Sequence, residues 1–279
     1  MSERTLNAGA DAELVERVEA EGWAARHQAV GPEFQTRFGT EVRRYGRAVA
    51  MLTRHVDFPS INRVFLLGLK DPLTTDLLDT IIADYGDAGV ARMVLHWSPN
   101  AVPVQARDWF ANRGFRELRP MAILRRRTDP ELMTRTPLRI VEIDRSDAAV
   151  YEQTVAPADG VPAEVAPHVW AALGHPAWRH YLAYDGDRAI AGASLFAHGS
   201  AAWCAGCATL PEARRRGAQS ALLARRIHDA AIMGCDWIVA ETLAETPEHG
   251  NPSYRNMRRL GFEDVYLRAS FLLDLHRPG

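Results

Sequence analysis

Lysine is almost missing from this chain. Lys70 is the only one, so arginine supplies nearly all of its 33 basic residues. A compositional bias of the source genome explains that as well as function does. Nor is there an excess of either charge: the formal net charge is −2, which argues against a partner such as nucleic acid or an anionic membrane. Cysteine is scarce. Cys204, Cys207 and Cys235 make an odd number, and no disulfide framework is expected. Cys204 and Cys207 imitate a C-x-x-C pair, but on a strand an offset of three points side chains to opposite faces, so packing as small hydrophobes is the expectation. No apolar run approaches the roughly 18 residues of a membrane span. The opening MSERTLNAGADAEL lacks the apolar centre of a signal peptide, and a cytoplasmic location follows as an expectation. The ten histidines show no tight ligand spacing, so no metal is expected, and no Ser/His/Asp arrangement is legible. What remains is an ordinary globular balance, 47% hydrophobic and 24% charged, over 279 residues, enough for one large or two ordinary domains.

The most informative stretch is residues 210–223, LPEARRRGAQSALL. An apolar run ending at Leu210 reads as a strand, an Arg/Gly turn follows, and a helix opens near Gly217. The first amides of a helix have no partners within it, and its dipole adds partial positive charge there. Small residues at Gly217 and Ala218 let a phosphate approach those amides, with Arg214, Arg215 and Arg216 beside it. The pattern describes an anion cradle suited to a diphosphate; the alternative is a plain strand-to-helix turn with a solvated Arg cluster. It is neither a P-loop, lacking Gly-Lys-Ser/Thr, nor a dinucleotide fingerprint, lacking the further glycines. Downstream, Gly234 ends the helix, a strand spans 236–242, and Asn251-Pro252-Ser253-Tyr254-Arg255-Asn256-Met257-Arg258-Arg259-Leu260-Gly261-Phe262 closes the unit.

In these features the chain resembles the GNAT acetyltransferase superfamily, whose signature is a strand, an Arg/Gln-x-x-Gly-x-Gly/Ala loop and helix, then strand, helix and Gly-Phe before a last strand. The resemblance covers about residues 138–275. Arg214, Gly217 and Gly261-Phe262 fall where the family's do, and Gln219 replaces the usual second small residue. It implies acetyl-CoA, with the pyrophosphate on the amides of Arg216, Gly217, Ala218, Gln219 and Ser220 and the pantetheine beside Ala208, Thr209 and Leu210. Ser253 and Asn256 are expected to hydrogen-bond the cofactor; capping a helix explains Ser253 equally well.

The chain holds this unit twice. Residues 77–89 align with 222–234 at an offset of 145, residues 90–97 match 235–242 at the same offset, and Gly114 and Gly261 lie 147 apart. A period this long means two copies of a domain rather than a solenoid. In the first copy Leu69-Lys70-Asp71-Pro72-Leu73-Thr74-Thr75 stands opposite the cradle. Pro72 has no amide to donate, Asp71 puts an anion where a phosphate would sit, and Thr74 or Thr75 suits a helix cap. The expected division is 1–130, a degenerate copy without a phosphate loop, and 138–279, the cofactor-binding copy, with the Pro-containing 128–137 as linker.

Coarse patterning places helices at 12–20, 34–44, 74–86 and 104–113 and strands at 48–54, 62–69, 92–97 and 121–126 in the first half. The second half reads as a strand at 138–143, helical segments at 148–155 and 163–173, a hairpin 181–184/189–196 turning at Asp185-Gly186-Asp187, and a strand 201–210. The fold class is α/β (α+β), two GNAT-like domains, each a mixed twisted sheet flanked by helices.

Acetyl transfer requires a polarised thioester carbonyl, an amine that loses its proton, and a thiolate that gains one. The tyrosine that often serves as the family's acid is replaced by Met257. Tyr254, three residues earlier on the same helical face, is the substitute candidate, with packing against the sheet as the alternative. Glu241, at the carboxyl end of the strand after the cradle helix, is the candidate base or ammonium holder; a solvated strand-end carboxylate is the alternative. Trp170, His175, Trp178 and the loop 245–250 are candidates for the acceptor pocket. The function implied is an N-acetyltransferase for a small-molecule or peptide amine, the alternative being a non-catalytic acyl-CoA-binding sensor or scaffold. Oligomeric state is open, a homodimer being one option.

Overall fold

A computed structural model describes residues 8–275. Residues 1–7, which begin the segment read for an export signal, lie outside the described residues. Along the first half run α1 (Ala8–Gln28), α2 (Pro32–Phe38), β1 (Glu41–Tyr45), β2 (Ala48–Leu52), β3 (Arg63–Phe65), α3 (Thr75–Asp87), β4 (Arg92–Trp97), α4 (Ala106–Asn112), β5 (Arg116–Glu117) and β6 (Met121–Arg127). The second half follows with β7 (Arg139–Ile143), α5 (Ala148–Ala158), α6 (Ala166–Trp170), β8 (Trp178–Asp185), β9 (Arg188–His198), β10 (Ala201–Trp203), β11 (Cys207–Thr209), α7 (Ala218–Ile232), β12 (Trp237–Leu243), α8 (Pro252–Arg259) and β13 (Glu263–Asp274).

The strands join one mixed sheet in the order β1-β2-β3-β4-β13-β6-β12-β10-β9-β8-β7, with β11 beside β9 and β5 beside β13. The centre of this order is a palindrome of duplicated elements. β4 and β12 are the matching strands of the two copies, and so are β6 and β13. Each copy's last strand therefore crosses over: β6 pairs antiparallel with β12 of the second half, and β13 with β4 of the first. A cut of the chain at 130–138 thus separates two sequence copies but not two sheets. The duplication extends to backbone detail, for Gly89 and Gly234 end equivalent helices with φ of 69° and 82°, and Gly114 and Gly261 do so with 81° and 82°.

The helix expected over 34–44 stops at Phe38. Gly39 adopts φ 54° and its N–H returns to the Gln35 carbonyl, closing the helix, and 41–45 then pairs with β2 through a two-residue turn at Gly46-Arg47. The segment expected as one helix over 163–173 is a 3₁₀ turn followed by the short α6.

In the first copy the protein's own residues pack over the segment equivalent to the Arg/Gly turn. Thr74 caps α3, its hydroxyl accepting from the Leu77 N–H at 3.2 Å. The loop after β4 folds back across β3, with the Val102 N–H donating to the Gly68 carbonyl at 2.8 Å and the Leu73 N–H to the Val102 carbonyl at 2.9 Å. A Cβ on Gly68 would lie 2.6 Å from that Val102 carbonyl and 2.8 Å from the Trp97 ring, so backbone and indole occupy the space.

Helix α1 holds the halves together. It packs on β1, β2 and β3 of its own half and on β9 and β10 of the other. His27 on α1 and His168 on α6 meet at 3.0 Å, both buried.

Candidate functional site

The strand expected over 201–210 is broken, and the break makes the site. β10 pairs in parallel with β12 from Ala201/Trp237 to Trp203/Val239. The last bond between them runs from the Cys204 N–H to the Val239 carbonyl at 2.8 Å. Past Cys204 the chain turns away, and β11 pairs only with β9. The Leu210 N–H donates to the Ile190 carbonyl at 2.9 Å, so alternation along the strand turns the Thr209 amide to the opposite edge, toward the opening. Cys204 and Cys207 flank the break as free thiols, and burial pushes both thiol pKa values up.

At the end of β11 the chain enters the Arg/Gly turn. Arg215 (φ 66°) and Gly217 (φ 81°) are both left-handed, and Gly217 is the N-cap of α7 with no side chain capping it. The first intrahelical bond runs from the Ala221 N–H to the Gly217 carbonyl at 3.0 Å. The amides of Ala218, Gln219 and Ser220 precede it and open on a cleft of about 670 Å³. Arg214 and Arg215 line this cleft, and neither guanidinium has a hydrogen-bond or ion-pair partner among the described residues. Free helix amides beside two uncommitted guanidiniums are an arrangement that a diphosphate fits.

The far wall is α8. Asn251 is its N-cap, accepting from the Ser253 and Tyr254 amides, which leaves the Ser253 hydroxyl free of capping. The Gln219 amide donates to the Ser253 Oγ at 2.8 Å and accepts from Asn256 Nδ2 at 2.6 Å, and Asn256 in turn accepts from Arg259 at 2.6 Å. Gln219, at the family's small-residue position, thus cross-links the two helices behind the cleft. Of the residues expected around the cofactor, Ala208, Thr209, Arg214, Arg215, Gly217, Ala218, Gln219, Ser220, Ser253 and Asn256 line it. Two do not. Arg216 is drawn away into an ion pair with Asp185 on the β8–β9 turn, and Leu210 packs into the core beneath α7.

Neither of the two candidate catalytic side chains, Tyr254 and Glu241, lines this cleft. The Tyr254 hydroxyl donates to Asp264 Oδ2 at 2.8 Å on the outer side of α8, and the residue is not part of the cleft. Desolvation and that carboxylate raise its pKa. Met257 is buried in the core below. Glu241 is not a solvated strand-end carboxylate. Its Oε2 accepts from Arg268 Nη2 at 2.5 Å, and Arg268, wholly buried, also binds Glu16 and Glu19 on α1. Burial pushes the carboxyls of Glu19 and Glu241 up, but they end on opposite sides of the ordinary range. Glu19 stays well above it, while Arg268, the hydrogen bond with Glu19 and the charge of Arg63 hold Glu241 below it. Glu241 is therefore an anion with little appetite for a proton, and it lines a second cavity of about 300 Å³ between the halves.

Asp159, at the end of α5, escaped the sequence reading because only an Asp-Gly turn marks it. It lines both cavities. Crowding by protein raises its carboxyl pKa against the opposing pull of Arg26 and Arg63. Trp178 is buried under Arg26 rather than lining either cavity, Trp170 donates to Glu152, and Glu245 in the 245–250 loop is tied to Arg255.

The sequence profile of the Acetyltransferase (GNAT) family matches residues 146–262, which contain the break, the cradle and α8. Residues 146–262 form a domain of the GNAT family. No curated protein matches the chain in sequence. Among solved structures, the chain is similar to a GCN5-related N-acetyltransferase from Sphaerobacter thermophilus (TM-score 0.61, 15% identity, 97% of this chain and 94% of that one). It is similar also to one from Kribbella flavida (TM-score 0.60, 16% identity, 93% and 95%). A third is a tandem GNAT protein from the clavulanic acid biosynthesis pathway (TM-score 0.57, 13% identity, 98% of both chains). At these identities the likeness is one of fold, and it extends beyond the GNAT domain over nearly the whole chain. Among the described residues no helix is long and apolar enough to cross a membrane.

Proposed function

We propose that this chain is an acetyl-CoA-dependent N-acetyltransferase acting on the primary amine of a small molecule. The observation that carries the reading is the conjunction of the opened strand pair and the uncapped α7 amides along one cleft, within the GNAT domain. The amides of Ala218, Gln219 and Ser220, with Arg214 and Arg215, would hold the diphosphate, and the free edge of β11 at Thr209 would hold the pantetheine. The bound cofactor supplies an activated acyl carbonyl.

The protein's own residues prepare the amine. Glu241, held as a carboxylate by Arg268, attracts the ammonium. Asp159, where the two cavities meet, takes the proton, and its raised pKa makes it the better base of the two. The freed nitrogen would attack the thioester carbonyl directly, the C–S bond would break, and the departing CoA thiolate would take up a proton from solvent as the amide forms, so no covalent enzyme nucleophile is needed.

One observation favours a second reading, an acyl-CoA-binding sensor. The tyrosine position of the family holds buried Met257, and Tyr254 is committed to Asp264. Release of free thiol from acetyl-CoA, followed over a broad amine panel, separates the two. Amine-dependent release supports the transferase; calorimetric binding of CoA without release by any amine supports the sensor.

A further inference from the structure

The cavity between the halves contains two arginines that the acyl-transfer scheme does not use. Arg26, on α1, is only 7% exposed, yet its side chain makes no hydrogen bond or ion pair among the described residues. Its guanidinium lies 5.2 Å from the Trp23 ring and 4.8 Å from that of Trp178, and its buried Nε has no acceptor. Arg63, on β3, sits 4.5 Å over Trp23, with its Nε likewise unsatisfied. Both side chains line the cavity. Burial lowers the pKa of Arg26 to about 10 and that of Arg63 in the same direction, the mark of cations short of solvation.

A buried cation with no acceptor or carboxylate in contact is unfavourable, and packing on indole and the more distant charges of Asp159 and Glu241 offset only part of that. The deficit is largest when the cavity is empty and is relieved by an entering anion. Guanidinium forks match a planar carboxylate in particular. The same cavity reaches Glu241 and Asp159, which would receive a cation, and Trp23 and Trp203 are also in its wall. At about 300 Å³ it suits one compact molecule.

We infer that the acceptor is an amino carboxylate with an apolar body, its carboxylate held by Arg26 and Arg63 and its ammonium turned toward Glu241 and Asp159. This rests on the acyl-transfer reading above and narrows its substrate class. It also gives the first copy a purpose. That half packs its own residues over its equivalent of the Arg/Gly turn, but contributes Arg26, Arg63 and Trp23 to the acceptor site of the other.

The test compares matched amines: an amino acid with an apolar side chain, its carboxamide, the amine lacking the carboxyl group, and the analogue carrying a phosphonate in its place. Binding is measured calorimetrically with CoA present, and kcat/KM by thiol release. The amino carboxylate is expected to bind, and to exceed the carboxamide and the carboxyl-free amine by about 100-fold in kcat/KM, the scale of losing a hydrogen bond to a charged group. Arg63→Gln and Arg26→Gln should each remove tenfold or more of that preference while leaving CoA affinity unchanged. Because the comparison among amines is made on the unaltered protein, it stands even if Arg26→Gln fails to fold. Equal kcat/KM across the set, preference for the carboxyl-free amine or the phosphonate, or absent amino-carboxylate binding while CoA still binds, would overturn the inference. Failure of CoA itself to bind would instead overturn the acyl-transfer reading.

Discussion

Arg268 and Glu241 form a buried ion pair, Nη2 to Oε2 at 2.5 Å, that joins the last strand of the chain to the strand following the cradle helix. The same guanidinium binds Glu16 at 3.0 Å and Glu19 at 2.6 Å on α1, so one residue fixes the crossover strand, the cofactor sheet and the helix shared by both halves. Replacing Arg268 with Met leaves three carboxyls in the interior without the cation they contact. The expected loss is about 3–5 kcal/mol near neutral pH, the range for breaking a buried pair from one side. In the variant these carboxyls acquire folded pKa values above their unfolded ones, so its stability falls as pH rises from about 4.3. Urea unfolding should show a larger deficit at pH 8 than at pH 5. The same deficit at both would contradict this role.

Asp159→Asn removes the proposed base but no cradle contact. Thiol release is expected to slow by about 100-fold or more, with CoA affinity within about twofold of the unaltered protein. In the unaltered protein kcat/KM should rise with pH through a carboxylate whose pKa lies above the usual Asp value, as its crowding dictates. Turnover within threefold of normal would transfer the role elsewhere.

Tyr254→Phe deletes a hydrogen bond to Asp264 on the outside of α8. Stability should drop by no more than about 1 kcal/mol, and kcat should stay within twofold. A tenfold fall in kcat would return Tyr254 to the chemistry.

Histidine burial sets an acid limit. The His27 pKa is lowered to about 4, principally by burial, while its unfolded value is near 6.5. The unfolded chain therefore takes up a proton that the folded one refuses, and stability is lost as pH falls from about 6.5 to 4. At pH 5 this one group amounts to about 2 kcal/mol. His27→Gln should flatten the acid slope of stability by that amount in urea unfolding between pH 5 and 8. Coincident slopes would show that His27 is not the group responsible.

Much of this architecture was legible in residue order. β4 occupies 92–97 as its apolar run indicates, and the β8–β9 hairpin turns at Gly186-Asp187. The cradle was readable because it is local, for a glycine before a helix announces free amides wherever the helix goes. What escaped depends on tertiary pairing. The 121–126 and 263–274 segments carry the same strand pattern, and nothing in either says that it will complete the other half's sheet. Arg216 looks like its neighbours until Asp185 comes beside it. The same holds for Arg26 and Arg63, which are unremarkable in sequence and become informative only when α1 and β3 bring both onto Trp23. Glu241 was found through its position at a strand end, but its charge state is decided by Arg268, 27 residues away.

The most direct test of the account is a calorimetric titration of the full chain with CoA, repeated on Gly217→Pro. Proline is confined to φ near −65°, whereas Gly217 sits at 81°. The account predicts one CoA per chain in the unaltered protein and a loss of affinity of at least about 100-fold in the variant. Two sites per chain, or undiminished affinity after the substitution, would contradict it.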